Sequence, residues 1–139
     1  MLAPALILWG DAERIRGPLL QNLAPHGLAV REIRSTRHCL AAVRVHRGSA
    51  VVVRVDDNAE PALGLIDAVR RLDSSALVVV HGPRGSRGLE PLARELGAAH
   101  FETDPVAVEP LAELLLRHLR RSAIPKNGKG TSDAAARIA

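Results

Sequence analysis

The sequence predicts an α/β domain, (βα)5, in which five parallel strands form one doubly wound sheet with helices on both faces. Two observations carry this. Apolar β-like runs alternate five times with stretches whose leucines, isoleucines and valines recur at helical spacing. Two of those runs, "AVVVRV" (50–55) and "ALVVVH" (76–81), are continuous and rich in β-branched residues, as central parallel strands covered on both sides must be. Right-handed crossovers between successive strands then distribute the helices over the two faces.

Taken in order, "ALILW" (5–9) is the first strand, and residues 12–24 place Ile15, Leu19, Leu20 and Leu23 on one helical face. "LAVREI" (28–33) alternates apolar and polar, which predicts an edge strand with one wet face. Ser35 or Thr36 caps a helix carrying Cys39, Leu40 and Val43. Between the two central strands, 62–72 sets Leu65, Ile66, Val69 and Leu72 on one face. Leu89, Leu92 and Leu96 mark a short helix ended by Gly97, residues 99–103 a fifth strand, and 106–121 a last helix burying Val108, Leu111, Leu114, Leu115 and Leu119. Residues 1–121 are thus expected to be one domain. Residues 122–139 lose the periodicity, gain Pro, Gly, Ser and Lys, and read as a flexible tail or linker.

Composition narrows the function. No apolar run reaches the roughly 18 residues that span a bilayer, and the start lacks the basic segment of a secretory signal. Cys39 is the only cysteine, which excludes a disulfide framework, and a cytoplasmic protein is expected. The net charge is +4, but Lys126, Lys129 and Arg137 lie in the last 14 residues. Before them 16 arginines face 14 acids, scattered rather than clustered, with almost no aromatic residue to stack on a base; nucleic acid is not an expected partner. The six histidines show no metal-ligand spacing.

In such a sheet ligands bind beyond the carboxyl ends of the strands. The residues expected there are Gly10 and Asp11 after strand one, Asp56 and Asp57 after strand three, His81 and Gly82 after strand four, and Asp104 after strand five. Carboxylates converging on one edge from separate strands are a way to hold a divalent cation through oxygen.

These positions resemble the receiver domain of two-component response regulators (the CheY-like family) over about residues 4–121. Receivers carry an acidic pair after strand one, a phospho-accepting Asp ending strand three, Thr or Ser ending strand four and Lys-Pro after strand five. "VDDNAEPALGLIDAVRRL" is similar to the stretch that follows a receiver's acceptor, and counting back from "GLIDAVRRL" assigns Asp56 to the acceptor position. "GAAHFETDPV" is similar to Gly-Ala-Asp-x-Tyr-x-x-Lys-Pro-Phe, with Phe101 at the aromatic switch position and Asp104 at the Lys. The resemblance implies a flavodoxin-like sheet of strand order 2-1-3-4-5 and a signalling role rather than an enzymatic one.

The departures shape the expected function. Gly10 stands at the first acidic position, His81 at the hydroxyl and Asp104 at the Lys; residues 1–125 contain no lysine at all. Two like charges about 4 Å apart repel by roughly 1–4 kcal/mol between bulk water and a protein surface, so Asp104 opposes a phosphoryl group. The reading is a degenerate receiver, a pseudo-receiver that binds protein partners without phosphorylation. Its face is helix four, strand five and helix five, including Phe101, Asp104, Arg84 and Arg87, and the same face serves a homodimer. No cofactor is required; weak Mg²⁺ binding by Asp11 and Asp56 stays open, as does phosphorylation of Asp56 by a histidine kinase. The plainer roles are an Asx turn for Asp56, Asp57 and Asn58, a helix cap for Asp11, and a mobile loop for "HGPRGSRG". That loop, through Arg84 and Arg87, also supports a third reading, small-anion binding. Trp9 reads as core or as a plug in the space of the lost acidic side chain.

Overall fold

The computed structural model describes residues 2–123. Five strands, β1 (Leu6–Trp9), β2 (Val30–Ile33), β3 (Ala50–Arg54), β4 (Leu77–Gly82) and β5 (His100–Thr103), form one parallel sheet in the order β2-β1-β3-β4-β5. The helices are α1 (Glu13–Leu23), α2 (Thr36–Val45), α3 (Glu60–Leu72), α4 (Glu90–Leu96) and α5 (Val108–Ala123), with 3₁₀ turns at Ala24–His26 and Ser86–Leu89. This is the expected doubly wound fold and strand order.

The two faces of the sheet make two cores. Val51, Val53, Val78, Val80 and Phe101 pack with α2, α3 and α4, while Leu6, Leu8, Val52 and Val79 pack with α1 and α5. Side chains alternate faces along a strand. Arg54 therefore follows Val52 to the α1–α5 side, and His81 follows Val79 to the same side. The alternation that builds the core thus aims two polar side chains into one corner at the carboxyl edge. Ser35 caps α2, its hydroxyl accepting the His38 N–H at 3.2 Å.

Three expectations are corrected in detail. In β2, Val30 joins the α1–α5 core and Ile33 the opposite one, with exposed Arg31 and Glu32 between them. This edge strand is half-covered on both faces instead of wet on one. In α4, Leu92 is 44% exposed and Ala93 takes the buried position between half-buried Leu89 and Leu96. The inner face there follows a 4–3 spacing that alanine hides from a leucine count. The last helix is shifted by two residues, beginning at Val108 and including Ser122 and Ala123. Of the expected tail, residues 124–139 lie outside the described residues.

Candidate functional site at the carboxyl edge

β3 ends at Arg54, which lies opposite His81 in the β3–β4 ladder. Asp104 follows the last residue of β5, and its backbone N–H bonds the Gly82 carbonyl at 3.0 Å, which fixes it beside β4. The three side chains meet. Arg54 Nη1 donates to Asp104 Oδ2 at 3.1 Å, and His81 Nε2 lies 2.7 Å from Oδ1. Arg14 of α1 stands farther out, its Nε 3.7 Å from Oδ2. The Arg54 Nη1 also lies 2.9 and 3.3 Å from the His81 ring nitrogens Nε2 and Nδ1. With Nε2–H given to Asp104, Nδ1 is the lone pair left to face the guanidinium.

The protonation states follow from the surroundings. Burial pushes the pKa of His81 down, and the charges of Arg54 and Arg14 add to this, outweighing the hydrogen bond and charge of Asp104, which act the other way. Burial alone would raise the Asp104 carboxyl, but hydrogen bonds from His81 and Arg54 and the guanidinium charge hold it below its ordinary value. The corner therefore holds a neutral imidazole between an anion and a cation.

Gly10 makes room for this arrangement. Its φ is +90°, a conformation side chains rarely adopt, and a Cβ there would lie 3.2 Å from Arg54 Cβ and 3.6 Å from the Arg54 carbonyl oxygen. Glycine at position 10 thus lets β1 end close against the last residue of β3.

Asp56, assigned by sequence counting to the acceptor position, is not part of the cluster of contacts on Asp104. It lies two residues beyond the end of β3 with its side chain 70% exposed, touching only the rim of the group through Arg54 Nε at 3.8 Å. In the β3–β4 ladder it is Arg54 that lies opposite His81. Asp57 is exposed, and Asn58 forms the expected turn by accepting the Glu60 N–H. Asp11 takes a capping role: its Oδ1 accepts the Glu13 N–H at 3.0 Å. It faces a separate depression with Glu13, Arg16 and Glu32. Among the described residues no three His, Cys, Asp or Glu side chains gather as a metal site.

The four residues expected on an interaction face divide. Arg87 is exposed at the α4 side, paired with Glu90 at 2.8 Å, its guanidinium 5.9 Å from the centre of the Phe101 ring. Phe101 itself is 3% exposed and lies beneath that arginine as core. Asp104 is occupied by the cluster. Arg84 diverges from Arg87 and lines a cavity with Arg14 and Arg54. Trp9 is half-buried against the α2–α3–α4 core, and its buried indole N–H has no hydrogen-bond partner among the described residues. Sequence reasoning missed Arg54 and Arg14. The signal for Arg54 was present: it is the one charged residue inside an otherwise apolar strand, at a position that alternation aims at the site.

No protein-family model matches the sequence, and no curated protein matches it by sequence. Solved structures do match by shape. A signal receiver domain from Vibrio parahaemolyticus superposes with a TM-score of 0.68 at 17% identity, covering 87% of this chain and 93% of that one. A CheY-like response regulator receiver domain protein from Methanospirillum hungatei gives 0.68 at 15% identity, over 87% and 97%. A response regulator from Burkholderia pseudomallei, solved with a phosphorylated aspartic acid, calcium ion and citrate, gives 0.65 at 21%, over 89% and 68%. With the order β2-β1-β3-β4-β5, these similarities establish that the chain has the flavodoxin-like fold of response-regulator receiver domains.

Proposed function

We propose that this receiver-fold domain is a pseudo-receiver, a protein-interaction module in signal transduction that works without phosphorylation. One observation carries the proposal: the ion pair at the carboxyl edge runs in the opposite sense to a receiver's. A receiver, as the resemblance implies, ends strand three with the acceptor aspartate and follows strand five with a lysine; here Arg54 ends β3 and Asp104 follows β5. The cation and the anion have changed places. Arg54 is no nucleophile toward a phosphodonor, and Asp104, paired with Arg54 and His81, offers an adduct on the neighbouring strand end no cation in place of the lysine. The neutral His81 supplies no hydroxyl to relay a change toward β5.

The docking surface is the α4–β5–α5 face. Leu92 is exposed on α4, and Arg87 covers Phe101 at the centre of that face. An exposed leucine on this face suits a partner carrying an apolar anchor, or a second copy of the chain.

The alternative is transfer of phosphate to Asp56 with Mg²⁺ at Asp11. In its favour, Asp56 is open to solvent and has a guanidinium at 3.8 Å. Against it, Asp11 is used as a cap and faces a different depression.

The test is affinity capture from native cell extract with wild type, Asp56→Ala and Leu92→Asp. The module reading expects the same specific partners with wild type and Asp56→Ala, and their loss with Leu92→Asp. Loss with Asp56→Ala, or dependence on a phosphodonor, rejects it.

A further inference from the structure

Between α1, the start of α5 and the loop after β4 lies a cavity of about 640 Å³, within the range of small-molecule sites. Its polar wall holds three guanidiniums, Arg14, Arg54 and Arg84, against one carboxylate, Asp104; its other wall is apolar and includes Ile15 and Val108. Asp104 is already satisfied by Arg54 and His81. The positive charge left over is directed into the cavity. Arg84 has no acidic partner among the described residues, and Arg14 reaches Asp104 only at 3.7 Å. Arg54 commits Nη1 to Asp104 and the His81 ring, and its Nη2 makes no hydrogen bond among the described residues.

We infer that this cavity binds a small organic anion, its carboxylate or phosphate head held by Arg14, Arg54 and Arg84 and its apolar body laid along the half-buried Val106 and Val108. A guanidinium presents paired N–H groups that match either head in a bidentate fashion. Arg54 is fixed at the back by strand and ion pair, whereas Arg14 and Arg84 stand exposed at the mouth and close on the head from two sides. A nucleic acid would find only these three guanidiniums and no aromatic side chain among the lining residues, and a bare inorganic ion leaves the apolar wall unused. Neither Leu92 nor Arg87 lines the cavity, so the inference stands whether or not those residues recruit a partner.

The experiment titrates the full chain with phenyl phosphate, phenylacetate, inorganic phosphate and neutral phenylacetamide, following amide signals by NMR. Phenyl phosphate or phenylacetate is expected to give saturable shifts at Arg14, Arg84 and residues 106–108, with a Kd at least tenfold below that of inorganic phosphate. The tighter of the two identifies the head as phosphate or carboxylate. Arg14→Ala combined with Arg84→Ala, both exposed positions, weakens binding at least tenfold, while Arg37→Ala on α2 leaves it unchanged. The inference is overturned by no saturable shift, by shifts centred elsewhere, by equal binding of phenylacetamide or inorganic phosphate, or by an affinity indifferent to the double substitution.

Discussion

The two ends of the sheet each set an aspartate beside a histidine, and they use them differently. At the amino end Asp73 is fully buried and held mainly by groups that cannot move. It accepts the Gly48 N–H at 2.8 Å, the Ser75 N–H at 3.0 Å and the Ser75 hydroxyl at 2.6 Å, with Arg47 at 3.4 Å. His118 closes the same region by donating to the Gly48 carbonyl at 3.0 Å. At the carboxyl end Asp104 is held by side chains from three other elements, Arg54 of β3, His81 of β4 and Arg14 of α1, and it borders a cavity. A carboxylate satisfied by backbone N–H groups locks a loop and has little left for a ligand. One satisfied by side chains leaves cations at a mouth where a ligand can reach them. The comparison separates the end that locks a loop from the end that stays open to a ligand.

The largest expected effect falls at the amino end. Asp73→Ala orphans buried donors on Gly48 and Ser75 and should cost about 3 kcal/mol in urea unfolding. A loss under 1 kcal/mol would erase the distinction. Next, Arg54→Ala leaves Asp104 with His81 and the distant Arg14 and should cost about 2 kcal/mol. Arg54→Asp paired with Asp104→Lys turns the ion pair round, and should recover at least about 1 kcal/mol over the sum of the two single changes. Absence of coupling would mean that the pair does not organise the edge. Gly10→Ala, strained at φ +90° and crowding Arg54, should cost about 1–2 kcal/mol and shift the Arg54 side-chain NMR signals.

The smallest effect is a pH slope. The His81 pKa is lowered on folding from an ordinary value of 6.5, so the unfolded chain binds its proton first. Its contribution to stability is complete above about pH 6.5 and is lost as pH falls below that. Asp104, held under its ordinary 3.8, adds a further loss only as pH falls past 3.8. His118, lowered chiefly by burial, has the same sign at the amino end. His81→Gln should therefore reduce, and not abolish, the decline in urea midpoint between pH 7.5 and 5.5. An unchanged slope would assign the whole effect to other groups.

The fold was legible because continuous β-branched runs and leucine spacing report burial directly, and strands β3 and β4 need little else. Leu92 misled because alanine at 93 fills the inner face without a large side chain. The site was half legible. Gly10, His81 and Asp104 follow from where strands end, and the absence of lysine from residues 1–125 is plain in the text. Asp56 attracted attention because an acid after an apolar run resembles an acceptor, while the charged side chain that pairing sets beside His81 is Arg54, two residues earlier on the same segment. Nor does sequence spacing predict that Arg14, on the neighbouring helix, reaches the same carboxylate.

The reversed ion pair is tested most directly by adding Mg²⁺ and beryllofluoride, a phosphoryl mimic, while recording the amide spectrum of the wild-type chain. Signals of Asp56 and its neighbours should stay where they are. Saturable, Mg²⁺-dependent shifts there, lost in Asp56→Ala, would contradict the account.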